Sequence, residues 1–296
     1  MNRPLVASVL ISSLVSFQPV CALARSPLVE RLRERGTERQ AVELSYGSDA
    51  LQKLDYWRPQ KPGAPLVVFV HGGGWTRGDK SDAVGQKAAH FLQQGYGFAA
   101  LNYRLVPSCT VEQQAQDVAA SLAFLIRQAE SLGFDKTKVV LMGHSAGAHL
   151  SALVGTDTRY LEKSGLGSKA LRGVVLLDGA CYDVPRQIAM AGDLMHDTYT
   201  EAFGSAPARQ LALSPAHHVA APNAPEFLIL HVQRMDGAAQ SAELDERLKK
   251  AGTKEEVIGF PGVGLKGHAE INRRLGDPTY PATAVVDQWL GRVFEK

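Results

Sequence analysis

Cysteine is scarce in this chain. There are three in 296 residues, and Cys21 falls inside an apolar leader, so Cys109 and Cys181 could make one disulfide at most. A small scaffold stapled by disulfides is excluded, and the core must come from apolar packing. An excess of one charge is also lacking. Thirty-two Lys and Arg face 30 Asp and Glu, a net charge of +2. No basic cluster interleaved with aromatics stands out, which removes the footprint of a nucleic-acid binder. Metal-ligand spacing is missing as well: His217-His218 has no third ligand at a recognisable distance, and neither Cys109 nor Cys181 has a companion. No linker, internal repeat or low-complexity tract divides the sequence. What remains is 45% apolar and 21% charged residues, enough for one large globular core.

The first 24 residues read as an export signal: Asn2-Arg3, an apolar stretch from Leu5 to Phe17 too short to span a bilayer, and an Ala22-Leu23-Ala24 cleavage site. Cleavage after Ala24 would leave one domain, 25–296, in the periplasm or secreted, with no stable membrane span. In such a compartment Cys109 and Cys181, each just after a predicted strand, are candidates for a disulfide, with two buried free thiols as the alternative.

Along the mature chain, Pro27 to Arg39 predicts an amphipathic helix, and Ala41 to Tyr46 with Leu51 to Arg58 a hairpin around Gly47-Ser48-Asp49. Buried strands follow at Leu66 to His71, Phe98 to Tyr103, Val139 to Met142, Arg172 to Leu177, Glu226 to Val232 and Glu255 to Phe260. Helices are predicted at Lys80 to Gln94, from a Thr110/Gln113 capping box to about Leu132, and at Ala146 to Val154, Ala238 to Ala251 and Pro281 to Phe294. Strands alternating with helices imply a mostly parallel sheet covered on both faces. Residues of about 179–225, rich in Ala, Gly, Met and His, form an insertion suited to a small cap.

Chemistry concentrates where Val139 to Met142 stops at Gly143-His144-Ser145-Ala146-Gly147. A strand turning at once into a helix forces its turn residue into a strained conformation, and glycine two residues to either side leaves room for that turn. Ser145 is thereby the candidate nucleophile. A serine hydroxyl needs a base, and the base needs an orienting acid. In the order Ser, acid, His, the base is His268, just past the last strand, and the acid is Asp236, just past Glu226 to Val232. Asp178 also ends a strand on that edge and is the alternative acid. His71-Gly72-Gly73-Gly74-Trp75, directly after a buried strand, supplies backbone N–H groups for an oxyanion; Gly73, Gly74 and Ala146 are the candidate donors. A phosphate loop is excluded, because Gly74 to Ser81 lacks the G-x-x-x-x-G-K-[ST] pattern. Trp75 and His144 are candidate pocket residues, while His71 and His149 lie near the site as structural groups.

Together His71 to Trp75, Tyr103-Arg104-Leu105, Gly143 to Gly147, Asp236 and His268 resemble an α/β-hydrolase esterase. The branch is the one shared by hormone-sensitive-lipase-type carboxylesterases, feruloyl or acetyl xylan esterases and kynurenine formamidases. Trp75 with Arg77-Gly78-Asp79-Lys80-Ser81 leans towards the formamidase-like and feruloyl-esterase-like members. The resemblance implies the α/β-hydrolase fold and an exported serine carboxylesterase that takes a small short-chain or aryl ester through an acyl-enzyme, without metal or organic cofactor. Two other readings stay open: an aryl formamidase using the same three residues, and a non-catalytic binding protein on the same shell.

Overall fold

The computed structural model describes residues 40–295. The expected export signal, its cleavage site, Cys21 and the amphipathic segment from Pro27 to Arg39 lie outside the described residues.

Eight strands form a single sheet: β1 Val42–Ser45, β2 Lys53–Trp57, β3 Ala64–Val70, β4 Gly97–Leu101, β5 Phe134–His144, β6 Gly173–Leu177, β7 Glu226–Gln233 and β8 Lys254–Val263. Their order is β1-β2-β4-β3-β5-β6-β7-β8. β2 is antiparallel to β1 and β4, and every pairing from β4 to β8 is parallel. This is the α/β-hydrolase architecture. Side chains alternate across the pleat and feed two cores. On β3, Leu66, Val68 and Val70 join one apolar cluster and Val67 and Phe69 the other. The first cluster is closed by α3 (Val111–Arg127) and α5 (Ala146–Thr156), the second by α2 (Lys87–Gln93) and α12 (Pro281–Phe294).

Three elements depart from the sequence reading. The helix expected over Lys80 to Gln94 is split into α1 (Lys80–Val84) and α2 by Gly85, which has φ 51°. The helix expected to reach Leu132 stops at Arg127 and restarts as α4 (Ala129–Leu132), because Gln128 leaves helical geometry with ψ 6°. Downstream of β8, where the sequence reading placed His268 but no helix, stands α11 (Gly264–Arg274). Gly267 there marks a close approach: a Cβ on it would lie 2.4 Å from the carbonyl carbon of Gly262.

Residues 179–225 between β6 and β7 hold α7 (Val184–Met190), α8 (Asp193–Phe203), α9 (Pro207–Ala212) and a short 3-10 turn, with α6 (Arg159–Lys163) and α10 (Met235–Lys250) completing the helices. Among the described residues no helix is long and apolar enough to cross a membrane.

Candidate active site

Ser145 is the hinge between β5 and α5, with φ 56° and ψ −121°. That positive-φ conformation is held by close backbone crossings on both sides, which glycine at 143 and 147 permits. A Cβ on Gly143 would fall 2.2 Å from the Gly147 carbonyl oxygen, and one on Gly147 would fall 2.2 Å from the carbonyl oxygen of Val70. The Ser145 N–H donates to the Leu177 carbonyl at 3.1 Å and its carbonyl accepts from His149 N at 3.1 Å, so the turn is fixed on both sides. Its side chain lines a cavity of about 480 Å³ together with Gly73, Gly74, His144, Arg234 and His268.

Gly73 and Gly74, with φ 125° and 60°, curl the loop after β3 along one wall of that cavity. Ala146 is buried at the first position of α5, where a helix N–H has no partner within its own helix. Trp75 borders the cavity, but its ring does not serve as open pocket surface. Only 2% exposed, it packs edge-on against His149, Tyr199 and Phe203. Its carbonyl accepts from Gln114 Nε2 at 2.7 Å and from Val106 N at 3.0 Å. The indole N–H donates to His149 Nδ1 at 3.2 Å, and His149 Nε2 meets the Leu213 carbonyl at 2.8 Å. An indole can only donate and a carbonyl only accept, so His149 is the neutral Nε2–H tautomer. Burial holds its pKa down to about 4. One imidazole therefore ties the glycine loop, the helix after the elbow and the insertion together.

His268 lies in the second turn of α11. Its Nδ1–H donates to Asp178 Oδ2 at 2.5 Å. Asp178, with no exposed surface, follows directly on β6 with φ 45°; its Oδ1 accepts from Val232 N at 3.0 Å and its Oδ2 also accepts from Arg234 Nε at 3.0 Å. Burial alone would raise this carboxyl's pKa. The His268 hydrogen bond, the Arg234 charge and the Val232 N–H outweigh it and hold the group below the usual carboxylate range. His144 lies beside His268 with ring centroids 4.5 Å apart and planes tilted by 36°, and its Nε2–H donates to the His268 carbonyl at 2.9 Å. Burial, then the neighbouring His268, keeps His144 well below its ordinary pKa and so neutral.

Asp236, the acid expected from sequence, does not reach the imidazole, and this corrects that expectation. α10 begins at Met235, so Asp236 turns into the first helical turn and accepts from Arg234 Nη1 at 3.2 Å and Gln187 Nε2 at 3.0 Å. Asp178 takes the place instead because β6 and β7 run side by side, and its own N–H donates to the Leu230 carbonyl at 2.7 Å. The sequence reading missed Arg234 and Gln187 altogether. The one available signal was a charged residue where β7 leaves the sheet.

The disulfide is likewise corrected: Cys109 and Cys181 are free and buried. They follow β4 and β6, which have β3 and β5 between them. His217 and His218 turn to protein partners, the carboxylate of Asp183 at 3.0 Å and the carbonyl of Ala212 at 2.8 Å.

The BD-FAE family model matches residues 54–248, which run from β2 into α10 and include the glycine loop, the elbow and both aspartates. The chain belongs to the BD-FAE family. A kynurenine formamidase from Danio rerio is similar to this BD-FAE chain, at 28% identity over 272 residues, covering 88% of the chain and 85% of that protein. Esterase LipC from Mycobacterium tuberculosis is 29% identical over 262 residues, 83% of the chain, which spans 62% of LipC. Among solved structures, esterase B from Lactobacillus rhamnosis superposes with a TM-score of 0.70 at 22% identity, over 90% of each chain. A truncated carbohydrate esterase from gut microbiota gives 0.71 at 21% identity, over 88% of this chain and 99% of that one. At those identities the structures speak for the fold. With the family and the relatives, the chain is an α/β-hydrolase of the carboxylesterase type, on the branch that also holds kynurenine formamidases.

Proposed function

We propose that this BD-FAE protein hydrolyses small carboxylic esters, with short acyl or aryl groups, through Ser145, His268 and Asp178. The observation that carries the reading is the Asp178–His268 hydrogen bond, made beside a cavity that an elbow serine also lines. With Nδ1 committed to the carboxylate, Nε2 is the imidazole nitrogen left to take a proton. Ser145 Oγ attacks the ester carbonyl, and His268 takes the hydroxyl proton, the imidazolium being stabilised by Asp178. The tetrahedral oxyanion meets N–H groups of Gly73, Gly74 and Ala146. His268 then returns the proton to the leaving alcohol, and water repeats the cycle on the acyl-enzyme. Met195, Tyr199 and Leu265 give the cavity apolar walls, which supports an acyl or aryl group as the part received there.

The sequence pattern of the first 24 residues supports export, with action in the periplasm or outside the cell. N-terminal sequencing of material from a cell fractionation tests this; a chain that starts before Arg25 and stays in the cytoplasm would remove the export reading. For the chemistry, purified Ser145→Ala is expected to lose hydrolysis of p-nitrophenyl esters by about ten-thousandfold or more, together with labelling by a fluorophosphonate. Unchanged turnover would remove Ser145 from the mechanism, and failure of the unaltered protein to label would favour a binding protein on this shell. A panel of increasing acyl length, with feruloyl and acetylated-sugar esters, orders the substrates.

A second reading rests on the Danio rerio kynurenine formamidase, similar over 88% of the chain. The same three groups can open an aryl formamide. Rates on a formamide and its matched ester separate the two.

A further inference from the structure

Asp178 Oδ2 is shared: His268 Nδ1 donates to it at 2.5 Å and Arg234 Nε at 3.0 Å, so the oxygen that orients the imidazole also carries a guanidinium. Arg234 is held by three separate N–H contacts, the others being Nη2 on the Gly179 carbonyl at 3.2 Å and Nη1 on Asp236 Oδ2 at 3.2 Å. Its side chain is 13% exposed and lines the cavity. Asp236 is fixed in turn by Gln187 Nε2, which also reaches the Tyr199 hydroxyl at 3.2 Å. An Asp–His pair needs no arginine to be oriented, and enclosing a guanidinium carries a desolvation penalty. What Arg234 adds is charge. An imidazolium is stabilised by its carboxylate, and a cation on that same carboxylate withdraws part of the stabilisation.

We propose that Arg234 and Asp236 are positioning residues that set, in opposite senses, how firmly the Asp178–His268 pair holds a proton: Arg234 loosens it, and Asp236, as the counter-ion of Arg234, tightens it again. The proposal rests on the reading of Ser145 and His268 as nucleophile and base. It gives Asp236 a function at the site other than the acid's.

On its own helix His268 is flanked by Lys266 and Glu270, and across the cavity stand His71, Arg77 and Asp79. Further charged and titratable groups come from four directions. Asp178 stands at the end of β6, and Arg234 and Asp236 where β7 passes into α10. His144 faces it from the elbow strand and is neutral. From α2, Lys87 Nζ donates to the carbonyl of Asn272, one turn further along the His268 helix. His144 and Lys87 remain in place in the variants below, so a changed profile reports on the Arg234–Asp236 pair.

The experiment measures kcat/KM against pH on one neutral ester for the unaltered protein, Arg234→Met, Arg234→Lys and Asp236→Asn, with a thermal melt for each. A base must be neutral to act, so a pair that holds its proton more firmly becomes active only at higher pH. Arg234→Met is expected to move the acidic limb up by about half to one pH unit, and Asp236→Asn to move it down by a few tenths. Arg234→Lys keeps the charge and is expected to fall between Arg234→Met and the unaltered protein. Limbs that stay in place in folded variants, or an Asp236→Asn limb that moves in the same direction as those of the Arg234 variants, overturn the proposal. If Arg234→Met does not fold, the Asp236→Asn and Arg234→Lys limbs decide it. Fluorophosphonate labelling of the unaltered protein separates the two levels. Normal labelling with unmoved limbs sinks only this inference, whereas absent labelling sinks the hydrolase reading beneath it.

Discussion

The two halves of the candidate site are specified in different ways. On the nucleophile side, β5, Ser145 and α5 are contiguous, and the positions that matter lie within five residues, Gly143 to Gly147. On the acid side, Asp178, Arg234, Asp236 and His268 come from the turn after β6, the turn after β7, α10 and α11, more than fifty residues separating the first from the second. Steric necessity between neighbours writes the first half into a motif. Electrostatic partnership between strand ends writes the second, and that is settled only when β6 pairs with β7. A motif reader therefore sees the serine and has to guess the aspartate.

The sharpest break of this contrast is a pair of substitutions. Asp178→Asn is expected to lower kcat by about ten-thousandfold, through loss of the imidazole's orientation. Asp236→Asn is expected to stay within about tenfold of the unaltered protein, since it touches only the counter-ion network. Equal losses in steady-state assays would mean that the two sides of the site are less separable than the hydrogen bonds imply.

On the local side, Gly147→Ala should strain the crossing with β3, where the added methyl would stand 2.2 Å from the Val70 carbonyl oxygen. The expected destabilisation is at least about 1–3 kcal/mol, the range for overpacking, read as a lowered denaturation midpoint in urea. Trp75→Phe keeps an aromatic ring, though a smaller one, and removes the indole donor, leaving His149 Nδ1 buried without its partner. The expected loss is about 1–3 kcal/mol, and an unchanged midpoint would show that packing alone holds the loop.

His149 also predicts a pH dependence. Its pKa in the fold is about 4, below the ordinary 6.5. As pH falls through 6.5 the unfolded chain takes up a proton that the folded chain refuses, so this contribution is complete above 6.5 and declines towards pH 4. Melting curves across that window check the sign, and Trp75→Phe, by freeing Nδ1, is expected to flatten the slope. The smallest effect concerns the thiols. Because Cys109 and Cys181 are unpaired, a reducing agent is expected to leave the melting temperature within about one degree.

Much of the fold was legible in the sequence because buried parallel strands announce themselves. Val67 to Val70 and Val139 to Met142 are continuous apolar runs ending at glycine-bearing turns, and both stand where expected, paired in parallel. The glycine loop and the elbow were legible for the same reason. The acid was not, because Asp178 and Asp236 both follow strands on the same edge, and either satisfies the chain order. Their fates diverge at Met235, where a helix starts and carries Asp236 away from the imidazole. The helix carrying His268 was missed because Gly262, Gly264 and Gly267 read as loop, whereas Gly267 serves the close packing of that helix on the end of β8. Arg234 gave a charge without a partner in the letters, and its partner lies 56 residues upstream.

Asp178 is also the last residue before the insertion of residues 179–225, whose α8 supplies Thr198 and Tyr199 to the cavity wall. Whoever grafts a longer or shorter roof onto this scaffold must splice within one peptide bond of the group that anchors the base. On the proposed mechanism, substrate range and turnover would be inherited as one block, and a library that varies the roof should hold Asp178-Gly179 constant or select for both traits at once.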